Sequence, residues 1–90
     1  MSEKWFVYIL ECANGSFYIG ISQHVQRRLE YHQCGKGSLH AKLYRPIRLL
    51  WTEEHLNLLS ARNRESQLKR WTRRKKWALI QRDMELLKML

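Results

Sequence analysis

Trp5-Phe6-Val7-Tyr8-Ile9-Leu10 is aromatic and β-branched and carries apolar residues at both parities. Side chains of a strand alternate between its two faces, so such a segment needs cover above and below. It predicts a strand central in its sheet. Ala13-Asn14-Gly15 is a hairpin signal, and Ser16-Phe17-Tyr18-Ile19-Gly20-Ile21 reads as the returning strand. Two registers fit. A two-residue Asn14-Gly15 turn pairs Ala13 with Ser16 and puts Tyr8 and Tyr18 on opposite faces. A three-residue loop Ala13-Asn14-Gly15, with Gly15 left-handed, pairs Cys12 with Ser16, sets Tyr8 against Gly20 and Tyr18 against Leu10, and brings both phenols to one face.

Beyond the hairpin, Ser22 can cap a helix in which Val25, Leu29 and His32 fall at i, i+4 and i+7, ending before Gly35-Lys36-Gly37. Arg28 and His32 are neighbours on that helix. The stretch from Ser38 to Arg45 reads as a short helix or a loop. Pro46 opens a third strand over Ile47–Glu53, where proline at the first position is tolerated. Asn57 is a plausible cap for a longer helix with the stripe Leu58, Ala61, Glu65, Leu68 and Thr72, and Trp71 at its border. Around Thr72 the stripe resets to Trp77, Ile80, Met84 and Leu87. This predicts a break and one last amphipathic helix with Trp77 on its core side. The fold class expected is α/β in the broad sense, α+β in detail: a β-hairpin plus a third strand in an antiparallel sheet flanked by helices.

Ninety residues bury about 60 % of the surface exposed on unfolding, enough for one modest core and one domain. Residues 1–80 are expected to form that domain, with 81–90 extending the last helix. No apolar run reaches the roughly 18 residues of a membrane span. Met1-Ser2-Glu3-Lys4 leads straight into a strand without the apolar stretch of a signal peptide, so a cytoplasmic location is expected and no membrane partner. Cys12 and Cys34 form no Cys-x-x-Cys pair, which argues against a disulfide scaffold or structural zinc. With 17 Lys and Arg against 8 Asp and Glu, the net charge of +9 favours an anionic partner.

Glu65 is the main anomaly, because it lies in the middle of an apolar helical face. A buried carboxylate costs several kcal/mol unless it is paired, protonated or bound. One reading is an internal salt bridge to an arginine. The other is a ligand to Mg²⁺, which is often held by one or two carboxylates with phosphate oxygens and water completing the shell. Taken alone, Tyr8 and Tyr18 read as core aromatics with hydroxyls at a polar rim, and Arg28 and His32 as a solvated helix face. Lys36 between two glycines is a weak phosphate-loop signal. Lys69, Arg70, Arg73, Arg74, Lys75 and Lys76, interleaved with Trp71 and Trp77, make an electrostatic footprint for nucleic acid, in which either tryptophan reads as a core anchor or as a stacking platform for exposed bases, the stripe favouring core for Trp77.

Phe6-Val7-Tyr8, ten residues to Tyr18-Ile19-Gly20, ten from Tyr18 to Arg28, four more to His32, and a helical Glu65 together resemble the GIY-YIG nuclease superfamily, especially its short stand-alone bacterial members. The likeness runs from about Trp5 to Ile80 and includes Gly35-Lys36-Gly37, Pro46 and Arg64-Glu65. Phe6 stands where the name-giving motif has its first glycine, and no Asn follows Asn63. The resemblance implies a three-stranded antiparallel sheet packed by helices and one site gathering Tyr8, Tyr18, Arg28, His32 and Glu65, which selects the bulged hairpin.

It further implies one-metal phosphodiester hydrolysis, with Glu65 holding one Mg²⁺ or Mn²⁺ ion. Tyr8 would position or deprotonate the attacking water, with a phenol pKa lowered by the metal or the cationic helix. Arg28 would hold the phosphate, His32 relay a proton or orient the phosphate, and Tyr18 order the site, while Gly20 keeps the floor clear for Tyr8. The expectation is a metal-dependent endonuclease acting on DNA in its processing or repair, selective for structure rather than sequence. The basic cluster and Lys36 would bind backbone phosphates, and a protein partner could supply substrate specificity. A nucleic-acid-binding module without turnover of its own is the alternative.

Overall fold

The computed structural model describes residues 4–35, 39 and 43–90. In chain order, strands β1 (Trp5–Cys12) and β2 (Phe17–Ser22) are followed by helix α1 (Val25–Gln33), strand β3 (Pro46–His55) and helices α2 (Leu58–Lys69), α3 (Arg73–Ile80) and α4 (Met84–Met89). The sheet has the order β2-β1-β3, with both pairings antiparallel. The doubly apolar segment is thus the central strand. Val7 and Ile9 enter one core with Ile19, Trp51, Ala61, Leu68 and Leu79, on the side of α2 and α3. Tyr8 and Leu10 enter a second core with Leu29 of α1 on the opposite face.

The hairpin takes the bulged register. Gly15 has φ +84°, the Cys12 N–H donates to the Ser16 carbonyl at 2.9 Å, and Tyr8 stands opposite Gly20 while Leu10 stands opposite Tyr18. A left-handed residue at the end of the loop costs glycine nothing and accounts for the extra residue. The β1–β3 pairing shifts register between Ile9 and Leu10 and again between Glu11 and Cys12. Pro46 starts β3 opposite Cys12, where its missing N–H is tolerated.

Three local expectations are revised. Ser22 ends β2 rather than capping α1; its Oγ accepts from the His24 N–H at 2.9 Å, and His24 occupies the N-cap position without a side-chain hydrogen bond. The C-terminal residues form two helices, because Arg82 at φ 57° ends α3 and Asp83 caps α4 by accepting from the Leu86 N–H at 3.0 Å. Trp77 is 44 % exposed, whereas Ala78 and Leu79 are buried. Thr72 caps α3 through the Lys75 N–H at 3.2 Å, and this new start turns Ala78 and Leu79, not Trp77, toward the core. Asn57 caps α2 as expected, accepting from the Ser60 N–H at 2.8 Å. Among the described residues no helix is long and apolar enough to cross a membrane.

Candidate active site

At the β2 edge of the sheet, Tyr8, Tyr18, Gly20, Ile21, Arg28, His32 and Glu65 line an open cleft of about 190 Å³. Alternation in the hairpin puts Tyr8 and Tyr18 on the α1 face, with ring centroids 6.4 Å apart. Arg28 and His32, one turn apart on α1, face them. Glu65 arrives from α2 on the other side, so the cleft wraps around the edge strand.

His32 is buried, and its Nε2 lies 3.4 Å from Tyr8 Oη in a long hydrogen bond. The His32 ring stands edge-on to Tyr18, with centroids 5.0 Å apart. Gly20 packs directly beneath the Tyr8 phenol; a Cβ there would sit 2.6 Å from Tyr8 Cζ and closer still to the hydroxyl. Only glycine leaves that ring its present position.

Glu65 shares the inner face of α2 with buried Ala61 and Leu68, and its side chain retains 20 % exposure. It pairs with Lys69 one turn on, Oε2 to Nζ 3.3 Å, rather than with an arginine. Among the described residues, no group of three or more His, Cys, Asp and Glu side chains converges to hold a metal. A single half-buried carboxylate at a polar cleft does not suit zinc, which takes three or four protein ligands. It does suit a hard divalent cation that keeps waters and takes its remaining oxygens from substrate phosphate.

The cationic helix does not by itself lower the pKa of the Tyr8 phenol. Burial pushes the phenol well above its ordinary value; Tyr18 adds to the rise, Arg28 opposes it and Glu65 adds to it. Tyr8 is therefore a neutral phenol at physiological pH. Arg28 is exposed, with its guanidinium carbon 5.4 Å above the centre of the Tyr31 ring. That contact fixes one side of the guanidinium on α1 while its donors remain available to an anion.

The basic cluster is less uniform than its sequence. Lys69, Arg70, Arg73 and Arg74 are exposed, but Lys75 and Lys76 are half-buried. Lys75 Nζ lies 4.3 Å over the Trp71 ring, and burial lowers the Lys76 pKa with help from Arg73. Lys36 lies outside the described residues.

Sequence reasoning did not find the polar network behind α2. Arg64 Nε and Nη2 donate to Glu53 Oε1 and Oε2 at 3.1 and 3.4 Å, and Nη1 donates to Gln67 Oε1 at 2.7 Å. His55 joins the same Glu53 through Nε2 at 2.8 Å and Ser60 Oγ through Nδ1 at 2.6 Å. The network ties the helix that presents Glu65 to the end of β3. Its Arg64–Glu53 and His55–Ser60 links join different elements, so no local spacing signals them. The Arg28–Tyr31 contact did have a signal, an i, i+3 spacing on α1.

A three-stranded antiparallel sheet clasped by helices, with this polar cleft at its edge, is the architecture of a nuclease-type domain, and residues 4–78 match the model of the GIY-YIG catalytic domain. The chain belongs to the GIY-YIG family, which implies nucleic-acid binding and a general dependence on divalent metal. Within the family it is similar to UPF0213 proteins. One from Streptococcus sanguinis is 41 % identical over 80 residues, covering 89 % of this chain and 92 % of the relative. Another, from Staphylococcus aureus, is 40 % identical over 78 residues, covering 87 % and 95 %. The solution NMR structure of a UPF0213 protein from Bacillus halodurans superposes with a TM-score of 0.56 at 37 % identity, covering 87 % of this chain and 83 % of that one.

Proposed function

We propose that the edge cleft hydrolyses phosphodiester bonds in DNA, with selectivity for structure rather than sequence. The observation that carries this reading is the gathering of Tyr8, Tyr18, Arg28, His32 and Glu65 around one small cleft, from four separate elements. Tyr8 belongs to the second core and Tyr18 packs against it, but hydrophobic packing does not require Arg28 and Glu65 to join them.

Glu65 would hold one Mg²⁺ or Mn²⁺ ion, whose charge, when bound, stabilises the scissile phosphate and the leaving oxygen. Arg28 binds two phosphate oxygens through its planar guanidinium and balances the charge that grows on them as water adds to phosphorus. Tyr8, being neutral, serves as a relay rather than as a free phenolate. Its Oη accepts a proton from the attacking water as its own proton passes to His32 Nε2, 3.4 Å away. The bond from water oxygen to phosphorus forms, the bond to the leaving oxygen breaks, and that oxygen takes a proton from solvent. Tyr18 holds the His32 ring edge-on, and Gly20 leaves the space that Tyr8 fills. Lys69, Arg70, Arg73 and Arg74 draw in the phosphate backbone from the adjoining surface.

The test is cleavage of supercoiled, single-stranded and branched DNA with Mg²⁺ or Mn²⁺ by wild type, Glu65→Ala and Arg28→Ala. Each substitution is expected to slow cleavage by at least about a hundredfold, as loss of a group acting on transition-state charge does. Full-rate cleavage by Glu65→Ala overturns the carboxylate's assignment. Salt-sensitive binding without metal-dependent nicking in wild type would instead mark a nucleic-acid-binding module.

A further inference from the structure

We propose that Trp77, Phe17 and Arg73 form a stacking platform for an unpaired nucleobase beside the cleft, giving the protein affinity for nucleic acid with single-stranded character. The proposal takes its ligand class from the reading of the cleft as a phosphodiesterase site, and deepens it.

Trp77 departs from the usual use of a large aromatic in so small a domain. It stays 44 % exposed while the two residues after it fill the core. Its ring lies nearly parallel to that of Phe17, at 10° with centroids 6.2 Å apart, and the Arg73 guanidinium carbon sits 4.1 Å over the Phe17 ring. Arg73 and Trp77 are one turn apart on α3, so one helical face delivers both to Phe17. Two near-parallel rings and a guanidinium thus gather at the surface, with the indole 44 % exposed. Every base has a π-face, so such a surface holds bases without reading sequence.

The position is as informative as the composition. Phe17 precedes Tyr18 on β2, and their side chains leave opposite faces of the edge strand. Tyr18 lines the cleft and Phe17 carries the platform, so a strand crossing this edge meets both. Arg74, next to Arg73 in the chain, and Arg70 three residues before it are exposed and offer donors for backbone phosphates. A membrane surface is the competing partner for a tryptophan on a basic helix. It fits less well, because α3 turns its apolar Ala78 and Leu79 inward and leaves Arg73, Arg74 and Trp77 outside.

The decisive measurement is a ratio. Fluorescence anisotropy in EDTA would compare a labelled single-stranded oligonucleotide with a probe of equal length whose bases are replaced by abasic sites. Both probes offer the same phosphates, so the ratio of their affinities isolates base contacts and is insensitive to a partly unfolded sample. Wild type should favour the base-bearing probe by about tenfold, within the range for a stacked base. Trp77→Ala should bring the ratio to within about twofold, and Trp77→Phe should restore most of it. An unmoved ratio in Trp77→Ala, no base preference in wild type, or no binding of either probe overturns the platform. So does a Trp77→Ala defect confined to binding of anionic phosphatidylserine vesicles. Glu65→Ala should keep the wild-type ratio, so failure of the platform and failure of the cleft assignment register in different measurements.

Discussion

Gly20 and Tyr8 face each other across the β1–β2 pairing so closely that a methyl group on Gly20 would overlap the phenol, 2.6 Å from Cζ. The Tyr8 side chain is buried and bonded to His32, so it cannot swing aside cheaply. Gly20→Ala is therefore expected to cost about 1–3 kcal/mol of stability, the range for overpacking a filled core. It should also impair cleavage beyond what unfolding explains, because the displaced phenol no longer reaches His32. Removing the obstructing ring should relieve the clash. Denaturant titration of Tyr8→Ala, Gly20→Ala and the double variant should show costs that sum to less than additive.

Tyr8 also sets an alkaline limit on folding. Its pKa is raised in the folded protein, first by burial, above the 10.0 of a free tyrosine. Below pH 10 both states keep the proton and the contribution is fully present. Above it the unfolded chain loses a proton that the folded chain retains, so stability falls by up to about 1.4 kcal/mol per pH unit. Tyr8→Phe should flatten that limb between pH 10 and 11 in urea melts. Cys12, whose thiol burial raises, and Lys76, whose ammonium burial lowers, titrate with opposite effects in the same region. Both are common to the two proteins, so the difference between melts belongs to Tyr8.

Much of the frame was legible because its signals are local. Apolar residues at both parities placed β1 at the centre, and Asn57 marked a helix start through a hydrogen bond within three residues. The hairpin register was not local: both loops suit Asn14-Gly15, and family resemblance chose the bulged one that Gly15 adopts at φ +84°. Trp77 was misplaced because the apolar stripe was carried across the end of α3. The helix phase restarts at Thr72, and the stripe is cut at Arg82. The sign of the Tyr8 shift needed the depth of its burial, which only the assembled sheet and α1 provide. The Arg64–Glu53 link joins β3 to α2 across eleven residues, a spacing that follows no period.

Lys69 holds Glu65 by a cation one helical turn away, at 3.3 Å, where a metal ion would compete for the same carboxylate. The lysine side chain is 56 % exposed, so the pair is worth no more than about 0.5 kcal/mol. Lys69→Met should leave the thermal midpoint nearly unchanged. It should also tighten Mn²⁺ binding by about two- to tenfold, the scale of one nearby unit charge in a highly polarisable setting. Mn²⁺ titration followed by electron paramagnetic resonance, without nucleic acid, measures this directly. Weaker Mn²⁺ binding in Lys69→Met would show that the lysine organises the carboxylate instead of competing for it.

Arg82 is the only non-glycine residue with positive φ among those described, at 57°. It follows the end of α3, where its N–H donates to the Leu79 carbonyl at 3.0 Å and the Asp83 N–H donates to the Ala78 carbonyl at 3.0 Å. These two bonds form a Schellman motif, whose left-handed position usually belongs to glycine because a Cβ is disfavoured there. Arg82→Gly should therefore stabilise the protein. The gain should be about 0.5–1 kcal/mol, since relief of the left-handed strain is partly offset by the greater freedom of an unfolded glycine. A rise in the urea midpoint at unchanged slope would show it. A fall would mean that the Arg82 side chain, which lines a cleft with Trp51, Glu53, Leu79 and Leu87, contributes more than its backbone costs. Arg82→Ala separates these terms, because it keeps the strain and removes the side chain.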